Sequence, residues 1–183
     1  MIVGESHYGS EEWTQDSPSF TKNAVQDWAV DRGSHFFTKI ASLCIGKPPI
    51  DAMERLNFWE SVAFYNYIQE FVGEAPRTRP TAQMWFRSWT PFKAVLNTLK
   101  PQLILVLGRQ NWYNMPQLGG TAGEPLVGLG NPYADTWLYP TDPGEHAVAF
   151  HVSHPSSWGF KFEKFVPLFN EANARVADIT PRP

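Results

Sequence analysis

The chain has 183 residues, a net charge of -3 and a single cysteine, Cys44. This length is enough for one domain with a full hydrophobic core. One cysteine excludes a disulfide framework and any cysteine-based zinc or iron–sulfur site within one chain. No run of about 18 apolar residues exists that could span a membrane. Because no secretory signal is visible either, we expect a cytoplasmic protein without a membrane partner.

The first half of the chain predicts two strands and two helices. A short apolar strand at residues 1–3 leads into a polar loop at residues 4–9, and we expect a few residues to be missing before this strand. Helices are predicted at residues 20–30 and 34–45, with Ser34 as the N-cap. Residues 58–68 are rich in aromatic and β-branched side chains, which predicts a strand that ends at Asn66 and the polar residues after it.

The second half predicts alternating helices and strands. Residues 81–99 have helical spacing, and the continuous apolar run at residues 103–107 is typical of a buried parallel strand. Residues 116–135 are rich in glycine and proline and predict an irregular segment, followed by a short strand at residues 136–139. An apolar strand at residues 147–150 and a helix in residues 161–169 complete the chain.

The order of these elements predicts an α/β fold. We expect a three-layer α/β/α sandwich around a central four-stranded, mainly parallel sheet, in one domain over residues 1–183. Three polar loops follow strands, at residues 4–9, 66–69 and 151–160. Because ligands bind at the carboxyl ends of the strands in such sheets, these loops should form one site.

The three loops, in this order and spacing, resemble the uracil-DNA glycosylase superfamily. Residues 4–8 resemble its first motif, Asn66 resembles its base-reading asparagine, and residues 81–108 resemble its central helix and strand. The sequence His154-Pro155-Ser156 resembles its second motif, which carries the catalytic histidine. The resemblance covers most of the chain and implies a monomeric enzyme that acts on double- or single-stranded DNA and needs no cofactor or metal.

This resemblance implies a role for each residue of the site. His154 would donate a hydrogen bond to the oxygen of the departing base, and Glu5 would stabilise the sugar cation and orient water. Asn66 would read the flipped base with its amide, and Trp158 or Phe160 would fill the gap left in the duplex. The base pocket is predicted to contain Ser6, His7, Tyr8 and Asn66, and the DNA contacts Ser153, Ser156, Ser157, Trp158, Phe160, Arg77 and Arg79.

The first motif departs from that of many uracil enzymes, which have Asp where Ser6 stands and Pro where His7 stands. This favours a bulky modified pyrimidine, such as glucosylated 5-hydroxymethylcytosine in phage DNA, and hence a bacterial enzyme of anti-phage defence. Three alternatives remain open: a repair enzyme that excises uracil, a catalytically silent DNA-binding or inhibitor protein on the same fold, and a hydrolase. For the hydrolase, residues 4–7 also resemble the opening of erythromycin-esterase-like enzymes.

Overall fold

A computed structural model describes residues 1–8, 19–47, 51–73, 75, 78–128 and 133–179. Arg77, the rest of the first polar loop, and part of the segment at 116–135 lie outside these ranges. In the part described, the strands form one mixed sheet in the order β2-β1-β3-β6-β5-β4. The strands are β1 (Ile2–Gly4), β2 (Phe64–Asn66), β3 (Leu103–Leu107), β4 (Thr121–Val127), β5 (Tyr133–Pro140) and β6 (His146–Val152).

The α/β class is confirmed, but the expected four-stranded sheet is wrong. Strands β2, β1, β3 and β6 are parallel neighbours, and β5 and β4 continue the sheet in antiparallel fashion beyond β6. Strand β4 falls in the segment that was expected to be irregular. Among its residues only Leu126 is buried, so this edge strand lacks the alternation of apolar and polar residues that identifies a strand in a sequence.

Helices are found in each region where one was predicted, with different bounds, and a further helix, Ala52–Ser61, was not predicted. The helices are α1 (Phe20–Ala24), which continues as a π-helical segment (Val25–Asp31), α2 (His35–Ile45), α3 (Ala52–Ser61), α4 (Ala82–Arg87), α5 (Trp89–Leu99), α6 (Arg109–Asn114) and α7 (Val166–Ile179). None of the described helices is long and apolar enough to cross a membrane.

Two of the predicted boundaries are corrected by local hydrogen bonds. The Asp51 side chain accepts the N–H of Glu54 at 2.8 Å and caps α3, so the aromatic residues at 58 and 59 end a helix and do not begin a strand. The expected helix at 81–99 is divided at Ser88, whose hydroxyl donates to the carbonyl of Met84 at 2.9 Å. Such a bond back to the preceding turn often bends a helix.

Hydrophobic cores lie on both faces of the sheet because successive residues of a strand point to opposite sides. In β3, Leu105 and Leu107 belong to one core together with residues of α2, α3 and α7. Ile104 and Val106 belong to the other, together with Phe92 and Leu96 of α5 and residues next to β2. The sheet is therefore covered by helices on both sides.

The strand register brings the predicted loops to one edge. Gly4 is paired with Asn66, and Leu107 is paired with Val152. The residues that follow β1, β2, β3 and β6 therefore leave the sheet at the same end, as expected for loops that build a common site.

Candidate functional site

The floor of the site is formed by Gly4 and Asn66, the last residues of β1 and β2. A Cβ atom on Gly4 would lie 2.1 Å from the amide oxygen of Asn66, so only glycine fits beside this side chain. Asn66 is only 5% exposed. Its amide oxygen lies against Gly4, and its amide nitrogen faces the loop after β1.

Asn111 supports this floor and was not predicted from the sequence. It is fully buried in α6, and its amide nitrogen donates to the carbonyl of Gly4 at 2.9 Å. Its position in a helix of only six residues gave no signal of this contact. The bond fixes the point at which β1 turns into the site.

His7 covers the amide of Asn66. The Asn66 nitrogen lies 2.8 Å from Nε2 and 3.1 Å from Nδ1 of the imidazole, and the hydroxyl of Thr21 lies 3.0 Å from Nε2. The ring packs edge-on against Phe20, with 4.6 Å between ring centroids. Burial lowers the pKa of His7 to about 4, so the ring is neutral at physiological pH and can accept a hydrogen bond.

His154 has a defined tautomer. Its Nδ1 accepts the backbone N–H of Ser156 at 3.2 Å, and a ring nitrogen that accepts in this way leaves the proton of a neutral imidazole on Nε2. Burial, and then the positive charge of Arg79, lower the pKa of His154. The ring lies against Phe36 with 5.4 Å between centroids and against Gly108 at the end of β3. His154 is therefore a neutral donor held in place on two sides.

Glu5 forms an ion pair with Arg79. The Arg79 guanidinium lies 3.5 Å from Oε1 of Glu5, with the glutamate side chain 10% exposed and the arginine side chain 65% exposed. Burial raises the pKa of Glu5, and Arg79 opposes this shift. The positive charge of Arg79 thus lowers the pKa of both Glu5 and His154.

The loop after β6 presents one large aromatic side chain to solvent. Trp158 is fully exposed, at 102%, whereas Phe160 is buried and stacks on Phe165 at 5.3 Å. Of the two aromatic residues predicted to enter the duplex, Trp158 is thus the accessible one, and the ring of Phe160 packs beneath the loop. Lys39 also supports the loop, donating to the carbonyl of Pro155 at 2.9 Å.

The remaining predicted residues surround this centre. Ser156 and Ser157 are exposed beside Trp158, and Ser6 and Ser153 are half-buried next to Glu5 and His154 in the chain. Tyr8 is 42% exposed, which leaves its ring accessible at the edge of the site. Arg77 lies outside the described residues.

The described residues of the site offer hydrogen bonds and charge. Within the described ranges, no group of three or more His, Cys, Asp or Glu residues is arranged to hold a metal ion. The chemistry that these residues offer is hydrogen-bond donation by His154, negative charge from Glu5 and amide recognition by Asn66.

A scan against protein-family models and searches of the curated proteins and of the solved structures found no match.

Proposed function

We propose that this protein is a monofunctional DNA glycosylase, which flips a pyrimidine out of DNA and hydrolyses its N-glycosidic bond to leave an abasic site. The observation that carries this proposal is that Glu5, paired with Arg79 after β1, and His154, packed against Gly108 after β3, lie at the same edge of the sheet. One carboxylate and one neutral imidazole donor are thus brought together at the carboxyl edge of the sheet.

These two groups match the two charges that develop when the bond breaks. The base departs as an anion, and the Nε2–H of His154 donates to its oxygen; one such donor contributes about 3 kcal/mol. The sugar becomes cationic, and the Glu5 carboxylate stabilises it and orients the attacking water. Water adds to the sugar carbon, and the proton that it loses leaves with the base or to solvent.

Arg79 has a second role in this proposal. Its side chain is largely exposed even though it is paired with Glu5, so it can also contact a DNA phosphate beside the flipped nucleotide. Ser153, Ser156 and Ser157 lie in the loop after β6, where hydroxyl groups can bind neighbouring phosphates.

The orientation of Asn66 favours a cytosine-type base. Its amide oxygen is against Gly4, so the group that faces the pocket is the amide nitrogen, which is a donor. The ring nitrogen N3 of cytosine is an acceptor, whereas N3 of uracil carries a proton and would be left unpaired. An unpaired polar group of this kind is a strong basis for discrimination. This supports a cytosine-type base over uracil, and the departure of Ser6 and His7 from the uracil-type motif favours a bulky modified cytosine of phage DNA.

The test is a panel of DNA duplexes that differ in one base, incubated with the protein and assayed for abasic sites by alkaline cleavage. We expect abasic sites in DNA with glucosylated 5-hydroxymethylcytosine and few in DNA with uracil or unmodified cytosine. Efficient action on uracil alone would support the repair alternative, and duplex binding without cleavage of any substrate would support a silent binding protein. Strand breaks that appear without alkali would contradict a monofunctional glycosylase.

A further inference from the structure

The most unusual feature of the site is that a side chain of the protein occupies the space in front of Asn66. The imidazole of His7 is a flat, neutral, nitrogen-containing ring. It is held by an amide nitrogen, a hydroxyl group and the edge of an aromatic ring, from Asn66, Thr21 and Phe20. Nucleobases are bound in proteins by the same kinds of group.

The hydrogen bonds to this ring are not ideal. One amide nitrogen of Asn66 faces both ring nitrogens, at 2.8 and 3.1 Å. In a neutral imidazole only one ring nitrogen has a lone pair that can accept, and the other carries a proton, so the amide can donate to only one of them. Nε2 must also accommodate the Thr21 hydroxyl. A six-membered ring with an acceptor nitrogen next to a carbonyl oxygen could satisfy the same amide more fully.

The main chain at His7 makes contacts of its own, separate from those of its side chain. The carbonyl of His7 accepts the N–H of Val72 at 3.2 Å, and the residue forms a parallel bridge with Phe71. The next residue, Tyr8, is 42% exposed, so the chain reaches the surface one residue after His7. Displacement of the imidazole would therefore leave these backbone contacts of His7 intact.

We propose that His7 is an internal occupant of the base pocket, and that a pyrimidine reaches Asn66 only by displacing the His7 ring. This rests on the proposed function for the identity of the ligand, and it adds a competition between the protein's own imidazole and the base. The competition selects for bases whose ring nitrogen N3 accepts from the Asn66 amide, because the N3–H of uracil cannot replace the contact that is lost.

The experiment is a titration of the His7→Ala variant with 1-methylcytosine and 1-methyluracil, followed by NMR. Removing the imidazole leaves the amide open, so we expect 1-methylcytosine to bind at least about tenfold more tightly to His7→Ala than to the wild type. Binding of 1-methyluracil should be weaker. His146→Ala is the matched control, since this histidine is at the opposite end of β6, and it should show no gain.

The gain must also depend on Asn66. The double variant His7→Ala/Asn66→Ala should return to the weak binding of the wild type. A folded His7→Ala protein with no gain, or a gain that persists without Asn66, would overturn the proposal. His7→Val retains part of the packing against Phe20 and serves as a second variant. If neither variant folds, the ring is an essential part of the core and is not a displaceable occupant.

This experiment separates the pocket from the reaction. Binding of a free methylated base needs neither DNA nor cleavage, so a gain in affinity without any abasic-site formation would retain the internal occupant and reject the glycosylase. Conversely, if the wild type excises the base but His7→Ala shows no gain in affinity for 1-methylcytosine, the glycosylase is retained and the internal occupant is rejected.

Discussion

At the scale of single residues, Arg79 links the two groups that the proposed reaction needs. It offsets the effect of burial on the pKa of Glu5 and reinforces the effect of burial on the pKa of His154. Both influences favour the states used in the mechanism, an ionised carboxylate and a neutral imidazole. The pH dependence of the reaction should therefore respond to this arginine.

We predict that Arg79→Ala moves the acidic limb of the activity profile to higher pH. Excision should fall as the pH drops through the raised pKa of Glu5, because a protonated carboxyl cannot stabilise the sugar cation. Loss of the guanidinium raises this pKa further, and the pKa of His154 rises as well, so both shifts have the same sign. The measurement is a single-turnover pH profile. Arg87→Ala is the control, since Arg87 pairs with Glu70. If Arg79→Ala leaves the acidic limb of the pH profile where it is in the wild type, the role given to Arg79 is contradicted.

Gly4 should be intolerant of any side chain. Its Cβ would lie 2.1 Å from the Asn66 amide oxygen, so Gly4→Ala must displace Asn66 or β1, and we expect a loss of about 1–3 kcal/mol in the free energy of unfolding. Gly144→Ala is the comparison, because nothing lies within 4 Å of that Cβ and only the strain of its positive φ remains, at about 1 kcal/mol. Urea unfolding measures both. Equal stability of Gly4→Ala and the wild type would show that Asn66 has room to move.

At the scale of elements, the loop after β6 has buried side chains that hold it in place and an exposed side chain that is available to a partner. Phe160 and Lys39 hold it from below, and Trp158 extends into solvent above. A tryptophan exposed at this position can stack into a duplex and fill the gap left by a flipped nucleotide.

We predict that Trp158→Ala weakens binding and excision on double-stranded DNA more than on single strands. Only the duplex requires a stack to be broken and the gap to be filled. Fluorescence anisotropy and single-turnover excision on both substrates measure the difference. Trp28 is another exposed tryptophan, on a helical segment. Trp28→Ala is therefore the control, and it should leave binding and excision unchanged on both substrates. A loss of the same size on both substrates would show that Trp158 does not fill the gap in the duplex.

The sequence predicted elements well where a local pattern determines them. The apolar run of β3 is buried in a parallel sheet as expected, because its composition alone requires cover on both faces. Residues 58–61 were misassigned because aromatic residues suit strands, whereas the Asp51 cap determines the local structure. Strand β4 was missed because an exposed edge strand is stabilised by its partner β5 and has no apolar pattern of its own.

Contacts between distant parts of the chain account for what was missed in the site. Glu5 and Arg79 are separated by more than 70 residues, and the carbonyl of Gly4 is bonded by Asn111 from a different helix. Nothing in the local sequence signals either pair. The role of Asn66 was inferred from its place at a strand end, but its contact with His7 depends on the packing of β1 against β2.

At the scale of the whole molecule, the sheet brings together, at one edge, the ends of strands that are far apart in the sequence. Two cores fix the strands from both faces, and the chemistry is left to side chains at one edge. In the described ranges no cluster of ligands suited to a metal accompanies them. We predict that EDTA leaves base excision unchanged. Loss of activity in EDTA, restored by zinc or magnesium, would contradict the mechanism.

The central claim is that His154 donates to the departing base, and single-turnover excision tests it most directly. The wild type, His154→Ala and the control His146→Ala are compared on a modified-cytosine duplex at saturating protein, with binding measured in parallel. Loss of the Nε2–H donor should slow excision about 100- to 1,000-fold while the affinity for DNA changes little, and His146→Ala should behave as the wild type. An excision rate for His154→Ala close to that of the wild type would contradict the account.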